Sequence, residues 1–174
     1  LEGEWKKAEQ ILKRSLDLNP DFGPAHYQFG RLQLIQAYVN ALGWSRENRS
    51  IRRIQSHEMT LRALEEFDHA LRPGSGFDDP LQREIARAFH AYIGADSDRT
   101  AQIIESACSR FKGMAGVEEL YWLMGASSKG EARMKAFSEA LALRAHYPLA
   151  LHSRADERMK NNDLDGAAAD LETL

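Results

Sequence analysis

One cysteine, Cys108, is all the thiol the chain has, which excludes an intramolecular disulfide and any cysteine-rich zinc site. No stretch approaches the roughly 20 consecutive apolar residues of a membrane span, and no charged-then-apolar leader stands at the start, so a soluble chain is expected. Neither sign of charge dominates. The 23 Lys and Arg face 26 Asp and Glu, a formal net charge of -3. That balance removes the global attraction behind much nucleic-acid binding, leaves only local basic patches, and makes nucleic acid an unexpected partner. Catalytic and cofactor motifs are equally scarce. His57-Glu58 begins like H-E-x-x-H, but position 61 is Leu, so the second zinc ligand one turn on is missing. The six histidines include no pair at i and i+4, and no metal site is expected. Gly74-Ser75-Gly76 lacks the preceding strand and the Lys-Ser/Thr of a phosphate loop and reads as a linker. No convergent acid, base or nucleophile is apparent, and neither an enzyme nor a cofactor is expected. Cysteine scarcity is tolerated in every compartment, so localisation stays open, with the cytoplasm favoured.

What the sequence does have is helical periodicity. Ala8, Ile11, Leu12, Ser15 and Leu16 recur at three- and four-residue spacing, with Lys6, Lys7, Glu9, Lys13, Arg14 and Asp17 largely on the other side. Asn19-Pro20 ends this helix, because proline lacks the amide hydrogen and clashes with the preceding turn. Gly23-Pro24 opens the next, with proline in its first turn. A second segment, LRALEEFDHALRP, sets Ala63 four residues before Phe67 and then reaches Ala70, Leu71 and Pro73. Further on, residues 90–101 align without a gap on 121–132 at an offset of 31, and Ser128 with Glu131 reads as a capping box. Leu151, Ala155, Asn162-Asp163, Ala167 and Leu171 continue the pattern.

These residues resemble the tetratricopeptide repeat family, which alternates an A helix, W-x2-L-G-x2-Y, with a B helix, A-x3-F and a closing proline, at a period of 34. Gly3-Glu4-Trp5 looks like the turn before a B helix, in which Ala8 and Leu12 stand for A-x3-F. Leu16, Leu18 and Pro20 close it. His26, Phe29 and Gly30 match W-x2-L-G, and Gln33 departs from the tyrosine. The resemblance covers most of the chain and is weakest over 81–111. It implies an all-α fold, a right-handed α-α superhelix (a tetratricopeptide-like solenoid), over residues 1–174 as a single repeat domain. An ordinary helical bundle is the alternative, since spacings of 55, 38 and 32 between Ser15, Ala70, Cys108 and Ala140 are looser than a regular array.

The spacing of 55 is one period plus roughly 21 residues. Apolar periodicity on both sides of Gly43-Trp44 predicts two overlong helices, about 24–42 and 46–72, that form an elongated helical hairpin inserted at about 36–58. Arg46, Arg49, Arg52 and Arg53 cluster around its tip. They read either as a solvated helix face or, with Trp44, as a docking hairpin for an acidic peptide, phosphate or nucleic acid.

In the family the concave groove is lined mainly by A helices, so the resemblance implies groove positions at Tyr27, Arg31 and Leu34, at Trp122 and Ala126, and at His152, Asp156 and Met159. Packing between helices is the competing role for Tyr27 and Trp122. Only Arg31 is basic among the positions that would grip a C-terminal carboxylate, so that clamp is not expected. The expected function is a noncatalytic protein-interaction scaffold that binds an extended peptide or partner surface. The alternative is a sensory or regulatory repeat arm of a larger bacterial signalling enzyme or transcription regulator. Leu1 in place of Met and an uncapped DGAAADLETL give the expectation of a processed or excised chain. Apolar faces at both ends and on the hairpin give the expectation of self-association or a covering partner.

Overall fold

The computed structural model describes residues 2–41 and 49–174, with the side chains of 4–38 and 55–174. All regular structure among the described residues is helical. Nine helices follow in order: α1 Glu2–Leu18, α2 Gly23–Ala41, α3 Arg49–Leu71, α4 Pro80–Ile93, α5 Ser97–Arg110, α6 Glu118–Ser127, α7 Gly130–Leu143, α8 Pro148–Lys160 and α9 Leu164–Glu172. None is long and apolar enough to cross a membrane among the described residues. Contacts divide the chain into two compact units, residues 1–79 with 93–95, and residues 80–92 with 96–174.

In the first unit α1 packs on α2, and α2 packs on α3. The corner at Asn19-Pro20 forms where expected. Phe22 N–H donates to the Asn19 carbonyl at 3.1 Å, and α2 starts at Gly23 with Pro24 in its first turn. The overlong helices are present as 19 and 23 residues, about 28 and 34 Å of axis. Their junction, with Trp44 and Arg46, lies outside the described residues, as do the side chains of Arg49, Arg52 and Arg53. The loop after α3 folds back on α2. Gly23 N–H donates to the Ser75 carbonyl at 2.8 Å, and Ser75 Oγ–H donates to the Ala70 carbonyl at 2.8 Å. A side chain on Gly23 would sit 2.6 to 2.8 Å from Ser75 and Phe77 atoms, so this approach needs glycine. Tyr27, Phe67 and Phe77 form the core beneath, with ring centroids 4.8 Å apart for Tyr27–Phe77 and 6.2 Å for Tyr27–Phe67.

In the second unit the closest pairs are α5 with α6, α6 with α7, α7 with α8 and α8 with α9, and α6 also reaches α8. Helix α4 buries Leu81, Ile85, Ala88 and Phe89, a spacing of four, three and one that makes one apolar face. Phe89 meets Trp122 of α6, their centroids 6.0 Å apart. Helix α5 buries Thr100, Ile104, Ala107 and Cys108 in the same manner.

One joint occurs twice among the described residues. After α4, Ala95 takes φ 59°, Asp96 N–H donates to the Ala91 carbonyl, and the Asp96 carboxylate caps α5 by accepting from Arg99 N–H at 3.1 Å. After α8, Asn162 takes φ 62°, Asp163 N–H donates to the Arg158 carbonyl, and the Asp163 carboxylate caps α9 by accepting from Gly166 N–H at 3.0 Å. Both are left-handed C-terminal stops run directly into an Asx N-cap. They stand 67 residues apart, close to two periods of 34.

Two local readings of the sequence are corrected. Gly94 and Gly125, equated by the offset of 31, are not equivalent: Gly94 is exposed in the turn after α4, and Gly125 is buried inside α6. The Ser128–Glu131 capping box does not form. Ser128 ends α6, and α7 starts after an extended Lys129 with no side-chain cap. The N-cap is Lys129, one residue later, which puts Glu131 at the second helical position instead of the third, and Arg133 Nε–H, donating to the Gly125 and Ser128 carbonyls at 3.2 and 2.8 Å, holds the α6 terminus.

Candidate protein-interaction site

The positions singled out by the sequence fall into two groups, one in each unit. On α2, Tyr27 is 1 % exposed and belongs to the aromatic core. Arg31, one turn on, lays its guanidinium 5.5 Å from the Tyr27 ring centroid and donates to Gln28 Oε1 at 3.0 Å. Its half-buried stem covers the ring while the head stays on the surface, and Leu34 is half-buried beside it.

On α6, Trp122 is 8 % exposed, and its indole N–H donates to Ser153 Oγ of α8 at 3.0 Å. The bond links α6 to α8 one residue past His152. His152, Asp156 and Met159 are half-buried along α8, and Asp156 accepts from Lys160 Nζ at 2.5 Å. Burial of Tyr27 and Trp122 makes both rings packing residues in this chain. Arg31, Leu34, His152 and Asp156 remain with surface to offer a partner.

Two polar clusters escaped the sequence reading. His26, 6 % exposed, was matched only to the tryptophan of the repeat pattern. Its Nε2 lies 2.8 Å from the Pro20 carbonyl, its Nδ1 2.6 Å from Glu66 Oε2, and its ring 4.7 Å from that of His69. A carbonyl only accepts, so Nε2 carries a proton there, and the imidazole ties the proline corner to α3. The second cluster centres on Asp170, 3 % exposed. Arg154 donates to both of its oxygens, at 2.9 and 2.6 Å, and Arg158 Nη1 to Oδ2 at 2.8 Å. Arg158 also donates to the Gly166 carbonyl, and Arg133 reaches Glu157 at 3.2 Å. The signal available in the sequence was Arg154 and Arg158 one turn apart, facing an aspartate set among alanines.

Among the described residues no group of three or more His, Cys, Asp and Glu side chains could hold a metal ion. Cys108 is buried, and burial pushes its thiol up to about 11. Thiolate, the reactive form, is therefore suppressed at neutral pH. Labelling of Cys108 in the native chain by a disulfide reagent at pH 7.5 is expected to be at least about tenfold slower than in urea. Equal rates in the two conditions would show an accessible thiol.

Comparison with protein-family models, with curated proteins and with solved structures gives no match for this chain.

Proposed function

We propose that the chain is a noncatalytic protein-interaction scaffold, built as a tetratricopeptide-like right-handed α-α superhelix with one elongated helical hairpin, that holds an extended peptide or partner surface. The observation that carries this reading is a glycine–aromatic lock made twice. Gly30 of α2 lies against the Phe67 ring, where an added Cβ would stand 3.0 Å from the nearest ring carbon, and Gly125 of α6 lies against Phe137 of α7 in the same way. At Gly30 and Phe67, which follows Ala63 by four, this is the pairing of the A-helix glycine with the A-x3-F aromatic of that repeat; at Phe137 the ring is kept and Arg133 stands in the alanine's place. The recurrent joint at Ala95-Asp96 and Asn162-Asp163 adds a period close to two repeats.

Within this reading Arg31 and Leu34 supply one contact region, and His152 and Asp156 another. The guanidinium held over an aromatic ring in the first unit suits an acidic segment, and the surface carboxylate in the second a basic one. Affinity capture from source lysate, with Arg31→Ala and Asp156→Ala chains beside the parent, tests it. A true anchor should cost at least about 2 kcal/mol, so a captured protein should be lost roughly thirtyfold from one of the variants. If both retain it at the parent's yield, the groove assignment fails. Trp122→Ala is unsuitable, because removal of its bond to Ser153 disturbs packing as well.

A further inference from the structure

His26, near the start of α2, lies where the proline corner after α1 meets α3, and it is 6 % exposed. Both of its ring nitrogens face acceptors. Nε2 stands 2.8 Å from the Pro20 carbonyl, which can only accept, so that nitrogen carries a hydrogen. Nδ1 stands 2.6 Å from Glu66 Oε2, a distance that places one more hydrogen between nitrogen and oxygen. A neutral imidazole beside an ionised carboxylate has only the Nε2 hydrogen and would set two lone pairs against each other there. The pair therefore holds one proton beyond that state, and the proton belongs to the two groups together. The neighbouring ring does not supply it. His69 of α3 lies 4.7 Å away, and its Nε2 takes the hydrogen of Arg72 Nη2 at 3.3 Å, so that nitrogen carries none of its own. Of the other charges nearby in the chain, Asp17 at the end of α1, Asp21 in the corner and Arg62 one turn before Glu66 are all exposed.

We propose that the His26–Glu66 pair is a proton-held latch that fastens the Asn19-Pro20 corner and α2 to α3, and that rising pH releases it. Once the proton leaves for solvent, the ring keeps its Nε2–H and the Pro20 bond, while Nδ1 and Glu66 Oε2 repel each other. Glu66, whose side chain is 20 % exposed, turns outward, and the link to α3 is lost. The unfolded chain sets the sign. There the separated histidine gives up its proton through about pH 6.5, the ordinary value for imidazole. Above that the native chain binds a proton that the unfolded chain does not, so stability falls as pH rises until the native pair has released it too. Just below it both states hold the proton, and the pair adds no slope.

Urea unfolding of the full chain from about pH 6 to about pH 9, read from the methyl NMR signals of Ala63 and Ala70, tests this. Both methyls are buried on α3 and report on the first unit. The unfolding constant should rise above about pH 7 by up to about tenfold per pH unit, the slope for one proton, and by at least about tenfold in all. Glu66→Gln should still fold and lose the rise, because its amide N–H donates to Nδ1 of a neutral ring with no extra proton needed. His26→Gln should lose it as well. His57→Gln, at an exposed position of the same helix, should keep it. In the parent itself, NMR at about pH 7 should find hydrogen on both His26 nitrogens, or a protonated Glu66 carboxyl in its place. A parent whose unfolding constant stays level over this range overturns the proposal. So does a Glu66→Gln or His26→Gln chain with the parent's slope, a rise that His57→Gln abolishes, or a neutral His26 ring beside an ionised Glu66 in the parent.

Discussion

Asp170→Ala is expected to destabilise the second unit by about 3–5 kcal/mol, the range for breaking a buried pair from one side. The carboxylate is 3 % exposed and satisfies Arg154 at two positions and Arg158 at a third. Its removal leaves two largely covered guanidinium groups without their main counter-charge. Arg154→Ala should cost less, because Asp170 keeps Arg158 and its desolvated charge stays neutralised. Replacement of all three together, Asp170→Leu with Arg154→Met and Arg158→Leu, should recover most of the loss, since apolar residues of similar volume remove the desolvation cost along with the attraction. Urea unfolding followed by Trp122 fluorescence, in a chain with Trp5→Phe and Trp44→Phe, reports on this unit. A loss under about 1 kcal/mol for Asp170→Ala would make the cluster equivalent to an exposed ion pair.

Phe67→Ala should cost about 3–5 kcal/mol in the first unit, the usual result of emptying a buried aromatic site. The ring is fully buried, and it fills the space that Gly30 leaves by having no side chain. Collapse of neighbours into the cavity is limited, because Tyr27 is already held against Phe77. Gly30→Ala tests the other half of the lock: its Cβ would meet ring carbons at 3.0 to 3.2 Å, which forces a shift of the ring. Combined with Phe67→Leu, which vacates that space, the two changes should be less costly than their sum. Hydrogen exchange of α2 and α3 amides measures both effects. Full protection retained in Phe67→Ala would show that the lock contributes little.

Much of the helical layout was legible because its signals are local. Asn19-Pro20 followed by Gly23-Pro24 states a stop and a start in residues whose backbone chemistry admits little else, and the corner forms there. The two overlong helices followed from apolar periodicity and agree with α2 and α3 to within three residues at each described end. The failures came where a distant group competes with a local one. Ser128 and Glu131 satisfy the capping pattern, but α7 starts one residue later, from Lys129, while Arg133 holds the end of α6, and nothing in four residues of sequence announces that. The repeat of Gly-Ala at 94 and 125 was a match of letters; the structural equivalence lies in the left-handed residue before Asp96 and Asp163, filled once by Ala and once by Asn. Of the interaction positions, the pattern gave the helix and the register. It could not tell Tyr27 and Trp122, which turn inward to aromatic neighbours, from Arg31 and Asp156, which keep surface, because burial depends on what the next helix brings.

The twice-made glycine–aromatic lock has a kinetic side. Gly125 and Phe137 are 12 residues apart in the chain, and Gly30 and Phe67 are 37 apart. The chain must close the intervening loop before either contact gives any return, and the entropic cost grows with the logarithm of loop length. Tripling the loop adds about 1 kcal/mol to the search, roughly a fivefold slower closure for the same contact. The Gly125–Phe137 contact should therefore form while Gly30 and Phe67 are still finding each other. The longer loop thus separates the two locks in time, with the later one on the helix that carries Arg31.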